Sequence, residues 1–260
     1  MTVLQVLLQF LLGIAVVAAG FVLFMGAALI ISGLFVDTDR LYDKDSRFYR
    51  FLLYYYTILV YIAARIKVEV SGKELIPREG QFLLVTNHRS NFDPITSWIT
   101  LRRRVNLAFI SKPENFRIPF FGKIIRRCCF MPIDRENPRN AKATIDRAAA
   151  LMKNGVCSIG VYPEGTRSKT GKLLPFHNMV FRIAKEAGVP ILVAVMENTE
   201  QVHKNFPFKK TCIKLKYLDL ITVEEVMSQR TNQLGSRVRN AMLKALNQTD
   251  EDNGDNKTAA

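Results

Sequence analysis

The first 36 residues contain no charged side chain, and this run constrains the fold more than any other sequence feature. A continuous helix of that length would rise about 50 Å, whereas the hydrocarbon core of a bilayer is about 30 Å thick. The run exceeds the ~7–15 apolar residues of a signal peptide and has no positively charged residue before it. The sequence therefore predicts a membrane anchor, whose excess length a tilt, a kink or a re-entrant bend would accommodate.

A second uncharged run, Phe51–Ala64, is rich in tyrosine. Fourteen residues are too few to cross a bilayer comfortably, and tyrosines favour the membrane–water boundary. Four glycines of the first run recur near one helix face, where a second helix could approach closely: Gly13, Gly20, Gly26 and Gly33. These features predict a membrane-embedded two-helix hairpin over residues 1–66, either within one leaflet or crossing once and returning.

The formal net charge of +14 indicates an anionic partner, which could be nucleic acid, a membrane surface or a phosphate-bearing substrate. Basic residues follow the apolar runs at Arg40, Lys44, Arg47, Arg50, Arg65 and Lys67. By the positive-inside tendency, they predict that the rest of the chain lies on the cytoplasmic side. The four cysteines show no C-x-x-C spacing, so we expect reduced thiols and no structural zinc site.

After residue 66 the pattern changes to short apolar runs separated by turns and amphipathic segments. Seven runs are typical of strands: Lys67–Val70, Phe82–Thr86, Leu107–Ser111, Phe130–Ile133, Cys157–Val161, Ile191–Val195 and Ile213–Leu218. Helices are predicted at Pro94–Leu101, Asn140–Lys153, Met179–Ala187 and within Val223–Leu246, the last opened by a capping box at Thr222 and Glu225. The alternation predicts an α/β domain over residues 67–248, with a central, mostly parallel sheet flanked by helices. Residues 249–260 are predicted to be a disordered polar tail.

His88 follows the second predicted strand, at the kind of strand end where α/β proteins place their sites. On a continuous helix His88 and Asp93 would diverge by about 140°, so they meet only if the chain turns between them. Asp93 and Pro94 favour such a turn, because Asp is a preferred N-cap and Pro a preferred first helical residue. Asp93 would then hold one imidazole nitrogen and leave the other free to accept a proton from an alcohol. The segment is equally compatible with a simple helix cap beside a loop histidine.

Two more predicted strands end in groups that suit an anionic ligand. Arg167 offers a planar fork for phosphate, Thr166 and Ser168 add hydroxyl donors, and Gly165 allows close backbone approach. Lys112 could place a point charge beside the same phosphate. Taken separately, these residues also fit a surface turn and a solvated lysine.

Four sequence blocks follow one another at suitable spacing: Asn87-His88-x-Ser90-x-x-Asp93, then Lys112 with Pro119 and Gly122, then Tyr162-Pro163-Glu164-Gly165-Thr166-Arg167-Ser168, and last Val189-Pro190-Ile191. Together they resemble the glycerolipid acyltransferase family, most closely the bacterial 1-acyl-glycerol-3-phosphate acyltransferases, over about residues 67–200. The resemblance implies that His88 is the general base and that Asp93 orients it. It also implies that Glu164, Gly165 and Arg167 belong to the acceptor site, that Arg167 and Lys112 contact the phosphate, and that Pro190 shapes the fourth block.

The implied reaction moves a fatty acyl group from acyl-carrier protein or acyl-CoA to the sn-2 hydroxyl of lysophosphatidic acid, without a metal, another cofactor or a covalent acyl-enzyme. The implied partners are membrane lipid, the lysolipid and the thioester, and the implied location is the cell membrane with the catalytic domain on the cytoplasmic side. The chain departs from the family where His177, Asn178 and Met179 follow Phe176, and where Val193 stands in place of a second proline. These departures affect the expected acceptor fit and acyl-chain preference more than the reaction type. His177 and His203 are expected to be structural or surface residues.

Other functions remain open from the sequence. A membrane-tethered protein could bind anionic lipid or nucleic acid through the basic patches 102–104 and 126–127. The aromatic residues that accompany basic stripes in nucleic-acid-binding proteins are not evident, so we expect no nucleic acid, and place these arginines on a surface facing the membrane or the carrier protein. A hydrolase would need an activated nucleophile, and Ser90 lies near His88 without a G-x-S-x-G motif. Another acceptor, such as glycerol 3-phosphate or a lysophospholipid, is the nearest alternative.

Overall fold

The computed structural model describes residues 2–38, 40–134 and 137–249. Two long helices come first, and an α/β domain follows them. Apart from Thr249, the predicted polar tail lies outside the described residues.

The first helix, α1 (Val3–Leu34), begins at a capping box in which Thr2 and Gln5 exchange hydrogen bonds. It is long and apolar enough to cross a membrane, and most of its side chains are exposed. The second helix, α2 (Arg47–Ala63), follows after a short connection. The predicted pair of N-terminal helices is therefore confirmed as secondary structure.

Tyrosines rather than glycines join the two helices. The hydroxyls of Tyr49 and Tyr56 donate to main-chain carbonyls of α1, at 2.8 and 2.6 Å. Among the described residues, no atom lies within 4 Å of the place where a Cβ would stand at Gly13, Gly20 or Gly26. The predicted close approach at these glycines is wrong, because α2 contacts mainly the C-terminal half of α1 and bulky tyrosines fill that contact.

The described part of the α/β domain contains a seven-stranded sheet in the order β1-β7-β6-β2-β5-β3-β4. Its strands are β1 (Ile66–Ser71), β2 (Leu83–Thr86), β3 (Leu107–Ser111), β4 (Met131–Pro132), β5 (Ser158–Val161), β6 (Ile191–Glu197) and β7 (Thr211–Ile221). Strands β2 to β6 are parallel to one another, whereas β7 is antiparallel to β6 and β1 is parallel to β7. Each strand overlaps a predicted one, and the mostly parallel sheet is confirmed.

Seven further α-helices flank the sheet in the described residues: α3 (Phe92–Leu101), α4 (Phe121–Arg127), α5 (Pro138–Lys153), α6 (Arg182–Ala187), α7 (Gln201–Asn205), α8 (Val223–Ser228) and α9 (Thr231–Leu246). The short helices α4 and α7 were not predicted. The segment predicted to hold the last helix contains two helices, α8 and α9. The Lys185 ammonium caps the C-terminal end of α8 by donating to the main-chain carbonyls of Val226 and Met227 at 3.1 Å each. The capping box at Thr222 and Glu225 is confirmed.

The strand directions define two edges of the sheet. One edge, which we call the upper edge, holds the C-terminal ends of β2, β3, β5 and β6. It also holds the beginnings of β1 and β7, because these two strands run in the opposite direction. The opposite ends of the strands form the lower edge. Every residue of β2 and β5 is buried, as expected for central parallel strands covered on both faces. Since α2 ends just before β1, its C-terminal end also lies at the upper edge.

The basic patch 102–104 lies at the lower edge, just before β3, where it lines a cavity of about 350 Å³ with Glu79 and Gln81. The other patch packs against the N-terminal segment, with the Arg127 guanidinium 4.2 Å from the Tyr42 ring centroid. The two patches therefore lie apart: the first is at the lower edge and the second contacts the N-terminal segment. Whether either faces the membrane or the carrier protein stays a prediction.

Candidate active site

The chain after β2 turns so that the His88 ring meets the Asp93 carboxylate. The distance from His88 Nδ1 to Asp93 Oδ2 is 2.7 Å. The same oxygen accepts the backbone N–H groups of Arg89 and Ser90 at 2.6 and 2.7 Å, and Asp93 is fully buried. The predicted contact between the two side chains is confirmed. With the carboxylate on Nδ1, the remaining nitrogen, Nε2, is the one that can accept a proton.

One detail of that prediction is wrong. Helix α3 begins at Phe92 with Asn91 at its N-cap, so Asp93 lies in the first turn and not at the cap. The reason is that the Asp93 carboxylate accepts N–H groups of the preceding loop, whereas a capping side chain accepts those of its own helix. Asp93 therefore joins the histidine loop to α3.

An aromatic stack supports the imidazole. The rings of His88 and Tyr162 lie nearly parallel with centroids 4.1 Å apart, and Tyr162 stacks in turn on Phe109 at 5.5 Å. Gly160 makes room for this arrangement, because a Cβ there would collide with the Phe109 ring. The sequence prediction assigned Tyr162 no role, although its position directly before the Pro-Glu pair could have drawn attention to it.

Asn87 anchors the start of the histidine loop to the neighbouring strand β6. Its Oδ1 accepts the backbone N–H of Met196 at 2.7 Å, and its Nδ2 donates to the Met196 carbonyl at 2.9 Å. The side chain is buried and continues the pairing of β2 with β6 beyond the end of β2. Its place beside His88 was the one sequence signal for this role.

Glu164 and Ser168, predicted to contact substrate, hold the loops together instead. The two carboxylate oxygens of Glu164 accept the backbone N–H groups of His88 at 2.6 Å and Leu174 at 2.9 Å. The Ser168 N–H donates to the His88 carbonyl at 2.8 Å, and its hydroxyl donates to the Lys172 carbonyl at 2.6 Å.

These bonds connect the segment after β5 to the histidine loop. Neither Glu164 nor Ser168 is among the described residues that line the cavity above the sheet. The polar atoms of both side chains already bond to backbone groups of adjoining loops, and buried backbone groups need such hydrogen-bond partners. The structure therefore gives both residues a positioning role and does not support their prediction as direct substrate contacts.

Burial raises the pKa of the Glu164 carboxyl to about 7 from an ordinary value of 4.5, although the two backbone donors oppose this shift. Between pH 4.5 and 7, Glu164 is protonated in the folded protein but ionised in the unfolded chain. Raising the pH through this range therefore favours unfolding. We expect the contribution of Glu164 to the free energy of unfolding to fall by on the order of 3 kcal/mol between pH 4.5 and 7.

Urea unfolding of the wild type and of Glu164→Gln across this pH window measures the effect. The variant is uncharged at this position throughout, so its stability should change less steeply with pH than that of the wild type. Parallel pH profiles for the two proteins would contradict the shifted pKa.

A cavity of about 530 Å³ opens beside His88 at the upper edge. Four of the predicted acceptor-site residues line it: Lys112, Gly165, Thr166 and Arg167. Arg167 donates to the Asn91 side chain at 3.1 Å, which directs the guanidinium toward the histidine loop. The structure therefore brings the predicted base and both predicted cations to one cavity. His177, expected to be a structural or surface residue, also lines it.

The rest of the cavity wall is largely apolar. Its aromatic and aliphatic side chains include Trp98, Phe109, Ile118, Phe121, Ile125 and Phe130. A cavity lined by both cations and hydrocarbon suits a ligand that carries both a phosphate and an acyl chain.

Other candidate residues lie outside this arrangement. The Ser90 hydroxyl accepts the backbone N–H of Phe92 at 3.2 Å, which gives no support to a nucleophilic role. Pro190 precedes β6 at the lower edge, where its carbonyl accepts the N–H of Leu83 at 3.0 Å. All four cysteines are free thiols, and three of them are buried.

A histidine–carboxylate pair beside a cavity with both cationic and apolar lining, above a mostly parallel sheet, is the arrangement of an α/β enzyme site. A family model described as Acyltransferase matches residues 67–197, about half of the chain. The chain belongs to this acyltransferase family, and it is an acyltransferase.

Relatives in two bacteria carry the name 1-acyl-sn-glycerol-3-phosphate acyltransferase. The protein of Salmonella typhimurium is 27% identical over 187 residues, covering 72% of this chain and 76% of that protein. The protein of Escherichia coli is 27% identical over 195 residues, covering 75% and 78%. The crystal structure of the 1-acyl-sn-glycerophosphate (LPA) acyltransferase PlsC from Thermotoga maritima matches with a TM-score of 0.64 at 24% identity, covering 92% of this chain and 94% of that one. This structural match shows that the two chains share a fold.

Proposed function

We propose that this enzyme transfers a fatty acyl group from a thioester to the sn-2 hydroxyl of 1-acyl-sn-glycerol 3-phosphate, which yields phosphatidic acid. The observation that carries the proposal is the 2.7 Å contact of His88 with Asp93 at a cavity that Arg167 and Lys112 also line. The names of the bacterial relatives support the choice of acceptor.

In the proposed reaction His88 Nε2 accepts the proton of the acceptor hydroxyl as the oxygen attacks the thioester carbonyl carbon. Collapse of the tetrahedral intermediate breaks the C–S bond, and the proton passes from the imidazolium to the departing sulfur. Asp93 stabilises the imidazolium and keeps the ring in the required tautomer. The acyl group moves directly between the substrates, so the step needs no metal, prosthetic group or covalent acyl-enzyme.

The acceptor phosphate binds to Arg167 and Lys112, because a guanidinium and an ammonium that line the same cavity complement its charge. The apolar wall receives hydrocarbon. The donor is acyl-carrier protein or acyl-CoA, since either supplies the thioester that the reaction consumes.

We place the enzyme at the cell membrane, with α1 as its anchor and the α/β domain on the cytoplasmic side. The length and apolar character of α1 support the anchor. The free thiols and the basic residues around α2 support the cytoplasmic side.

The acceptor assignment is tested with purified enzyme in detergent, offered lysophosphatidic acid with acyl-CoA and with acyl-carrier protein. We expect phosphatidic acid by mass spectrometry with at least one of the two donors. Glycerol 3-phosphate and lysophosphatidylcholine serve as matched acceptors that lack the acyl chain or the free phosphate. Turnover of either of these in preference to lysophosphatidic acid would overturn the acceptor assignment.

Arg167→Ala should raise the KM for lysophosphatidic acid on the order of 10–100-fold, the effect of losing a charged hydrogen bond to the phosphate. Arg167→Lys should recover part of this loss, because it keeps the charge and loses the fork. Initial rates at varied acceptor concentration provide the measurement. Lys169→Ala removes an exposed cation two residues away that is not among the lining residues, and it should leave KM nearly unchanged. Equal KM values for Arg167→Ala and Lys169→Ala would exclude a phosphate contact by Arg167.

A further inference from the structure

The segment 204–210, which comprises the last two residues of α7 and the connection to β7, exposes two phenylalanines to solvent. Phe208 is 85% exposed and Phe206 is 52% exposed. Of the large apolar side chains described after residue 65, Phe208 is the most exposed. Three exposed lysines share the segment: Lys204, Lys209 and Lys210. We call residues 204–210 the phenylalanine loop.

The phenylalanine loop lies at the upper edge of the sheet, beside both the anchor and the active site. It leads directly into Thr211, which pairs with Ile66 where β7 and β1 begin. Arg65, just after α2, donates to the Phe208 carbonyl at 3.0 Å. On the other side, the ring of His203 in α7 contacts Phe92 at the start of α3, with centroids 5.3 Å apart.

The anchor helix α1 extends beyond this same edge. Tyr49 bonds to the carbonyl of Ser32 and Tyr56 to that of Met25, so α1 and α2 run antiparallel. Continuing this register places the C-terminal end of α2 level with about residue 18 of α1. The preceding part of α1, which is exposed along its length, therefore extends roughly 20 Å past the C-terminal end of α2, which lies at the upper edge.

A bilayer that receives the projecting part of α1 consequently faces the upper edge and the phenylalanine loop. We propose that the loop is a second membrane contact, in which Phe206 and Phe208 enter the boundary between headgroups and acyl chains of an anionic bilayer. The three lysines then meet lipid phosphates, which complements their charge. The loop holds the mouth of the cavity against the surface that contains the lysolipid. This contact goes beyond the proposed reaction and does not depend on it.

Scattered exposed apolar residues are common on soluble proteins and need no special explanation. The phenylalanine loop differs because its apolar and basic residues lie together and it is bonded to Arg65 at the end of α2. Met227 provides a comparison within the same chain: it is 55% exposed on α8, which follows β7 at the lower edge. The proposed bilayer does not reach this edge.

Tryptophan fluorescence can compare the membrane contact of positions 208 and 227, because Trp98 is the one native tryptophan and is buried. Full-length Phe208→Trp and Met227→Trp are reconstituted into phosphatidylglycerol vesicles with and without lipids brominated on the acyl chain. We expect a loss of emission by bromine quenching in Phe208→Trp, beyond the small background of the wild type. Met227→Trp should show the wild-type background. Quenching at position 208 no greater than at position 227 would overturn the proposal.

A charge variant tests the preference for anionic lipid. Adding Lys209→Glu and Lys210→Glu to Phe208→Trp should reduce quenching in phosphatidylglycerol vesicles to the level that the parent shows in pure phosphatidylcholine. Unchanged quenching would remove the electrostatic part of the proposal. Circular dichroism of each variant confirms its folding. Acyl transfer in detergent, measured in parallel, distinguishes a failure of the loop contact from a failure of the proposed reaction.

Discussion

His88→Ala should lower the turnover number by on the order of 10²–10⁴, because the acceptor hydroxyl loses the group that takes its proton. The fold should persist, since the ring is partly exposed and the loop is held independently by Asn87 and Glu164. The measurement is initial-rate formation of phosphatidic acid at saturating lysophosphatidic acid and donor. Near-normal turnover in this variant would refute the proposed mechanism.

Two other variants refine that result. Asp93→Asn keeps the side-chain shape and removes the charge that stabilises the imidazolium, so it should also reduce turnover strongly. His203→Ala is the matched histidine control, because His203 is exposed and makes no contact with Asp93 among the described bonds. It should retain most of the activity. An equal loss in His203→Ala and His88→Ala would show that the effect is not specific to the proposed base.

Arg50→Ala should reduce the free energy of unfolding by about 3–5 kcal/mol, which is typical when one member of a buried ion pair is removed. Arg50 is 3% exposed and bonds to the Asp45 carboxylate at 2.6 Å. It also donates to the carbonyls of Leu107 at 2.7 Å and Cys128 at 3.0 Å. Its loss leaves the buried Asp45 carboxylate without its cation, with only Asn106 among the described residues still donating to it at 2.8 Å, and removes the Arg50 bonds to the two carbonyls. A residue predicted only to add to the cytoplasmic positive charge therefore joins α2 to the α/β domain.

Thermal unfolding in detergent, followed by Trp98 emission, measures this effect. Trp98 reports on the relevant contact because its Nε1 donates to the Thr57 hydroxyl of α2 at 2.9 Å. A loss of this size should lower Tm by about 10 °C. Arg47→Ala is the control, since Arg47 is an exposed arginine of the same helix and its removal should change stability by less than about 0.5 kcal/mol. Similar Tm values for the two variants would exclude a supporting role for the buried pair.

Much of the fold could be predicted because it depends on local pattern. Seven apolar runs became seven strands, and the long uncharged run became α1, since hydrophobic periodicity and length follow directly from residue order. Short elements such as α4 and α7 were missed, because a helix of five to seven residues has too few turns to show a periodic pattern. The glycine contact was misjudged for another reason: the spacing of small residues shows where a helix could pack, and only the partner's side chains decide whether it does.

The candidate site divides in a similar way. The sequence alone determined which residues had the chemistry: a histidine with a nearby carboxylate, a guanidinium, an ammonium, and an uncharged run long enough for an anchor. Only the tertiary structure decided which of them share the cavity, and it assigned Glu164 and Ser168 to the loops and Tyr162 to the support of His88. The physical reason is that side-chain chemistry belongs to each residue, whereas burial, stacking and the choice of hydrogen-bond partner arise when distant segments of the chain meet.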